Sequence, residues 1–296
     1  MKRFLSKLII LSIPILVYCI LAIIFMPSLL SVKYGPSTKD QIEYSFKRAI
    51  NSDYNLLILG NSRVYRGLNP AIFHQKSFNF SHDNDSYNQS YYKLKLLLKK
   101  KKQIDFLILG IDYFQFSFFS NTRNYIYGDY LGDNYLKDFD DNILRLKIDY
   151  YKTNINPNKL FKSSNSNKPF IRENGQFINP GVATKNDTVS RDINRLDIHE
   201  KYFEKIINLC RSNNIKLFLV MPPVREIELK SYNPLQLDDF DSYINRYSNN
   251  SNIFYLNYSE DNKYKLKDYT DVTHLNEDAA NRFSKQLNDT IPLLLE

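Results

Sequence analysis

Residues Leu8–Val32 carry no charged side chain, an unbroken run of 25 residues. About 20 apolar residues are enough for a helix to cross the hydrocarbon core of a bilayer. Lys2, Arg3 and Lys7 precede the run. The positive-inside rule therefore places residues 1–7 in the cytoplasm and everything beyond Val32 outside. A cleaved signal peptide shares the order basic, apolar, polar. Its apolar core is only about 7–15 residues long and ends in a small-x-small site, and neither feature fits here. Cys19 follows Tyr18, not the small residue that usually precedes a lipid-modified cysteine. The expectation is a single-pass membrane protein: anchor 8–32, short helical linker 33–52, and an extracytoplasmic domain over 53–296.

That domain contains one cysteine, Cys210, so no internal disulfide supports it and its core must hold it together. Its length is sufficient for one large core. The net charge of +8 is modest for a chain of 296 residues. Lys99–Lys102 end a helical pattern set by Leu94, Leu96, Leu97 and Leu98, where cations complement the helix dipole. A nucleic-acid partner is not expected. No Cys/His cluster, phosphate-binding loop or dinucleotide fingerprint occurs, so neither a metal nor another cofactor is expected.

Five short apolar runs punctuate the domain: Leu56–Leu59, Ser77–Phe80, Phe106–Leu109, Leu217–Met221 and Ile253–Leu256. Continuous apolarity over four or five residues suits strands buried on both faces. Helical spacing appears in Tyr87–Lys100, Ile193–Ser212, Leu235–Tyr247 and Asp278–Leu287. The alternation predicts an α/β fold, a three-layer α/β/α sandwich around a mainly parallel five-stranded sheet of flavodoxin-like type. Residues 114–190 break the rhythm with Tyr, Asn, Asp and Lys, and read as an insertion at the carboxyl edge of the sheet. Lys162–Lys168 reads as a loop within it, and the aromatic stretch Tyr113–Phe119 as core filling or a sugar-stacking surface.

Two motifs more than 200 residues apart carry the chemistry. Gly60-Asn61-Ser62-Arg63 follows the first strand, and Asp271-Val272-Thr273-His274 lies near the C-terminus. Together they hold the three parts of a nucleophilic triad: Ser62 to attack, His274 to take its proton, Asp271 to hold the imidazole. A strand–turn–helix passage would leave Ser62 at a helix start, beside N–H groups able to face an oxyanion. The bland alternatives are a helix-capping serine and a surface histidine.

With Gly110-Ile111-Asp112 after the third strand, Val220-Met221-Pro222-Pro223 ending the fourth, and Asn79-Phe80-Ser81 after the second, this pattern resembles the SGNH (GDSL-like) hydrolase superfamily over roughly residues 50–290. It is most similar to membrane-anchored members involved in O-acylation of cell-surface polymers. The resemblance implies Ser62 as nucleophile, with Asp271 and His274 completing the triad. It also implies oxyanion donors from a second-block glycine and a third-block asparagine. This chain has neither: the second block reads Asn79-Phe80-Ser81-His82-Asp83-Asn84, and the third offers Asp112. Ser81, Asn84, Arg63 and Asp112 remain as oxyanion or substrate-binding candidates. Asp112 is alternatively structural, and Arg63 is its alternative partner. The expected activity is serine acyltransfer or ester hydrolysis on a surface glycan or cell-wall polymer, with a membrane-bound O-acyltransferase as the partner that transfer calls for. A plain carbohydrate esterase and a non-catalytic scaffold or glycan-binding protein are the rivals.

Overall fold

The structure, a computed structural model, describes residues 2–139, 142–155, 161, 168–185, 187, 193–248 and 252–294. Five parallel strands form the central sheet: β1 (Leu56–Leu59), β2 (Ser77–Asn79), β3 (Phe106–Gly110), β6 (Lys216–Met221) and β7 (Ile253–Asn257). Their order is β2-β1-β3-β6-β7. Chain order reverses direction at β1, so the crevice between the carboxyl ends of β1 and β3 is the topological switch point, where open α/β sheets bind ligands.

Alternate strand residues feed two cores. Leu57, Leu59, Leu107, Leu109, Leu217 and Leu219 join one cluster; Leu56, Ile58, Ile108, Phe218 and Val220 join the other. The first is covered by α2 (Thr38–Asn51), α4 (Tyr87–Lys99), α8 (Asp197–Ser212) and α10 (Pro234–Ser248). The second is covered by α3 (Ser62–Gly67) and α11 (Glu277–Leu293). The result is the expected three-layer arrangement. All five strands lie where the apolar runs placed them, within one residue at either end.

The N-terminal helix α1 covers Lys2–Tyr34. Within Ser6–Tyr34 an 18-residue stretch reaches a mean hydropathy of 3.0, and 6% of that stretch is buried. Among the described residues it alone is long and apolar enough to cross a membrane.

Residues 33–52 are not the linker that the sequence led us to expect. Gly35, at φ +90°, ends α1, and Ser37 and Asp40 form a capping box that starts α2 at once. Ile42, Phe46 and Ala49, spaced for one helical face, enter the first core. The Phe46 ring meets Phe80 edge-on at 4.9 Å and stacks on Tyr130 at 4.3 Å. Burying such a side chain stabilises the fold by about 2–3 kcal/mol, so α2 is part of the domain.

The expected insertion is likewise woven into that core. It contains α5 (Asn124–Leu131), α6 (Asp133–Leu136), α7 (Ile143–Ile155) and a hairpin of β4 (Phe170–Ile171) and β5 (Phe177–Ile178). Phe116, Tyr127 and Tyr135 are buried with the helices of the first face. Phe116 packs edge-on to Phe203 and Phe240, so the aromatic stretch fills core there. In the expected loop Lys162–Lys168, residues 162–167 lie outside the described residues.

Candidate active site

The passage from β1 to α3 is built on two glycines. Gly60 has φ +148°, and a Cβ there would come within 2.6 Å of Val64 Cγ2 and 3.1 Å of Gly110 Cα. A Cβ on Gly110 would meet Val64 Cγ1 at 2.6 Å. Bare backbone at both positions lets the turn close over the end of β3. Asn61 then caps α3, its Oδ1 accepting the Arg63 N–H at 3.0 Å. Ser62 is the first helical residue and is half-buried. Asn79, at the end of β2, fixes the far end of α3 by donating to the carbonyls of Val64 (2.8 Å) and Leu68 (3.1 Å).

The second motif forms a closed loop. Tyr269 and Leu275 make an antiparallel bridge, and Thr270 N donates to the His274 carbonyl at 2.8 Å. Inside it, Asp271 Oδ1 accepts the backbone N–H groups of Thr273 (2.9 Å) and His274 (3.0 Å). Asn276 caps α11 immediately afterwards, so the loop is anchored to a long, well-packed helix.

The two motifs meet. His274 Nε2 is 2.8 Å from Ser62 Oγ, and His274 Nδ1 is 2.8 Å from Asp271 Oδ2. Burial pushes the Asp271 carboxyl up, but hydrogen bonds from His274 and Thr273 outweigh it and hold the group well below the usual carboxylate range. The ionised carboxylate only accepts, so Nδ1 carries the proton and Nε2 is left to accept from the Ser62 hydroxyl. Burial lowers the His274 pKa; the Asp271 hydrogen bond opposes this, and nearby Arg66 adds to it. The imidazole is therefore neutral at neutral pH, as a general base must be.

Sequence reasoning missed two members of the site. Arg66, one turn along α3 from Ser62, donates to both oxygens of Asp83 at 3.2 and 2.7 Å. Its Nη1 also lies 3.7 Å from Asp271 Oδ2 and 3.4 Å from His274 Nδ1. The last contact pairs two donors and so acts as like-charge crowding of any imidazolium, not as a hydrogen bond. Burial raises the Asp83 pKa, and the Arg66 guanidinium more than offsets that rise. The i, i+4 spacing of Ser62 and Arg66 was the available signal.

The oxyanion and substrate-binding candidates fare differently. Arg63 and Asp112 are 3% and 1% exposed, with Nε and Oδ2 2.5 Å apart, and Arg63 also pairs with buried Glu228. Their charges are committed to one another inside the protein, the arrangement described by the alternatives of an Arg63–Asp112 pair and a structural Asp112. Ser81 is fully buried, with its N–H on Asn79 Oδ1 at 3.1 Å. Asn84 is exposed at φ +57° in the turn closed by Asp85 N and the His82 carbonyl. Among the described residues, neither side chain hydrogen-bonds to Ser62 or His274.

A cleft of about 970 Å³ lies between the loops that follow β6 and β7, lined by Arg225, Lys230, Tyr232 and Tyr264 among others. Ser62, Asp271 and His274 do not line it. Buried Arg225 stands between the cleft and the triad, donating to the Val272 carbonyl at 3.3 Å. No group of His, Cys, Asp and Glu able to hold a metal ion occurs among the described residues.

Comparison with known proteins adds little. A protein-family model matches residues 180–296. No curated protein matches the sequence. Among solved structures, the chain is similar to one from Streptococcus pneumonia described as a candidate platelet activating factor. The two are 15% identical with a TM-score of 0.42, and the match covers 85% of this chain and 90% of that one.

Proposed function

We propose that this protein is a membrane-anchored serine acyltransferase or esterase of SGNH type, acting on acyl esters of a surface polysaccharide or cell-wall polymer. One observation carries the reading: the unbroken hydrogen-bonded line from Ser62 Oγ through His274 to Asp271, at 2.8 Å on each side of the imidazole. A capping serine and a surface histidine have no reason to converge from segments more than 200 residues apart beside a carboxylate that accepts from the imidazole.

Ser62 Oγ attacks the ester carbonyl carbon while its proton passes to His274 Nε2. The tetrahedral intermediate collapses, and the same proton leaves with the departing alcohol. An acyl group then sits on Ser62. An acceptor hydroxyl gives its proton to His274 Nε2 and attacks the acyl carbon; the bond to Ser62 Oγ then breaks, and His274 returns that proton to Oγ. Water as acceptor makes the protein an esterase; a glycan hydroxyl makes it a transferase. Transfer is favoured by α1, since a catalyst held at a bilayer meets a donor delivered through it, such as the product of a membrane-bound O-acyltransferase, at high effective concentration. In this reading residues 1–7 are cytoplasmic and the domain extracytoplasmic.

The test is genetic and chemical together. Deleting the gene should lower the ester content of a surface polymer, and Ser62→Ala should reproduce the deletion. A rise in ester content on deletion would assign de-esterification instead. Wild-type behaviour of Ser62→Ala beside a deletion defect would identify a scaffold.

A further inference from the structure

Helix α7 lies against α1. On α1, Ala22, Met26 and Leu30 follow one another at four-residue intervals and are all less than a tenth exposed. Ile23, Ile24, Phe25 and Leu29 beside them are 41–58% exposed. This buried stripe belongs entirely to the uncharged run 8–32 and stops two residues before its end. At 1.5 Å per residue it extends over about 12 Å of the helix axis.

That placement constrains α7 from two directions. With α1 inserted in a bilayer, a helix that packs on α1, whose buried stripe falls at residues 22–30, is held close to the membrane. Yet α7 carries Arg145, Lys147 and Asp149 within little more than one turn, and charges are expensive in hydrocarbon. The headgroup region satisfies both demands. The side chains divide accordingly. Lys147 pairs with Asp129 at 3.6 Å and Tyr150 packs against Tyr125 at 5.4 Å, so one side of α7 is fastened to α5. Leu144 and Ile148, one turn apart, are 68% and 44% exposed. Lys33 ends α1, and Lys168 Nζ donates to the Val32 carbonyl. Long cationic side chains suit that depth, where the stem lies in apolar surroundings and the ammonium reaches headgroups.

We infer that α7 is a second membrane contact of this protein: an amphipathic helix lying in the headgroup region beside α1, on the side of the bilayer that holds the domain, with Leu144 and Ile148 turned to the acyl chains. The inference rests on the proposed insertion of α1. Its consequence is orientational. A single spanning helix leaves the protein free to turn about that helix and to tilt in the bilayer. A second contact fixes which face of the sheet looks at the membrane and so how Ser62 is presented to anything delivered there.

The test uses the full chain with Cys19→Ser; the remaining thiol, Cys210, is buried. Single cysteines at Ile20, Leu144, Ile148 and Leu235 are labelled with an environment-sensitive nitrobenzoxadiazole. The labelled proteins are reconstituted in phosphatidylcholine–phosphatidylglycerol vesicles containing lipids spin-labelled at the headgroup or along the chain. Ile20 reports insertion of α1, and Leu235, 76% exposed at the start of α10, reports the water-facing domain. The expected result is a blue-shifted emission at Leu144 and Ile148, quenched most by the headgroup-proximal spin label, with Ile20 quenched by the deeper one and Leu235 by neither. If Ile20 is quenched while Leu144 and Ile148 match Leu235, α7 is not a membrane contact although α1 is inserted. If Ile20 itself escapes quenching, the anchor reading falls and takes the inference with it.

Discussion

Ser62 and Arg63 are neighbours in the chain, and they belong to two constellations of similar composition. Each joins a residue of α3 to polar side chains brought in from distant segments. Ser62 meets His274 and Asp271 at a half-open edge, where Asp271 remains 39% exposed. Arg63 turns inward to Asp112 and Glu228, all three nearly inaccessible. Consecutive side chains of α3 diverge by about 100°, which leaves Ser62 half-buried at the edge and turns Arg63 to the interior. Access to solvent decides what each set can do. The open set can exchange a proton with a substrate, whereas the closed set can only hold the ends of β1, β3 and the loop after β6 in register. Charge in a crevice is therefore a poor guide to catalysis until burial is known.

That contrast can be broken or sharpened by substitution. The largest effect is expected at the open set. Ser62→Ala should lower aryl-ester turnover by about 10⁴-fold or more while changing stability by less than about 0.5 kcal/mol, measured as hydrolysis rate and urea midpoint. The closed set should show the reverse emphasis. Arg63→Met strands two buried carboxylates and should cost about 3–5 kcal/mol in the same urea titration. A stable Arg63→Met protein lacking activity would mean that Arg63 reaches substrate after all.

A buried histidine away from both sets provides the next largest effect. Burial pushes the His199 pKa down to about 4 from its ordinary 6.5. The unfolded chain binds the extra proton first. Stability is therefore full above about pH 6.5 and is lost as pH falls toward 4, by about 3 kcal/mol in all. His199→Phe should flatten the pH dependence of the urea midpoint across that window, and an unchanged slope would assign the acid sensitivity elsewhere.

The smallest effect is expected at Arg66. Its charge beside His274 disfavours the imidazolium, against the opposing pull of Asp271 and Asp83. Arg66→Met should move the acid limb of the rate–pH profile to higher pH. A purely structural role for Arg66 would lower the rate without moving the limb.

Much of the architecture was legible because parallel strands buried on both faces write themselves as unbroken apolar runs. Leu56–Leu59 and Phe106–Leu109 need no context to be recognised. The approach of Ser62, His274 and Asp271 was legible for a related reason: local backbone rules fix both motifs, the glycine turn before Ser62 and the Asx-type loop that brings Asp271 to His274. What failed were judgements that depend on tertiary surroundings. Phe46 and Ala49 gave α2 an apolar stripe, yet nearness to the uncharged run 8–32 suggested a spacer. The segment from Phe114 onward looked polar for its Asn, Asp and Lys, while Phe116, Tyr127 and Tyr135 within it fill the core. Glu228 carries no motif at all, and only the folded chain shows that it shares Arg63 with Asp112.

The central claim is that Ser62 is a nucleophile activated by His274. A fluorophosphonate forms a stable phosphonyl ester with such a serine, displacing fluoride, and spares ordinary hydroxyls. The intact full-length chain, treated at neutral pH and mapped by peptide mass spectrometry, should carry one adduct, on Ser62. Labelling should disappear in Ser62→Ala and fall sharply in His274→Ala. A folded chain that leaves Ser62 unmodified, or that is labelled equally well with His274 removed, would contradict the account.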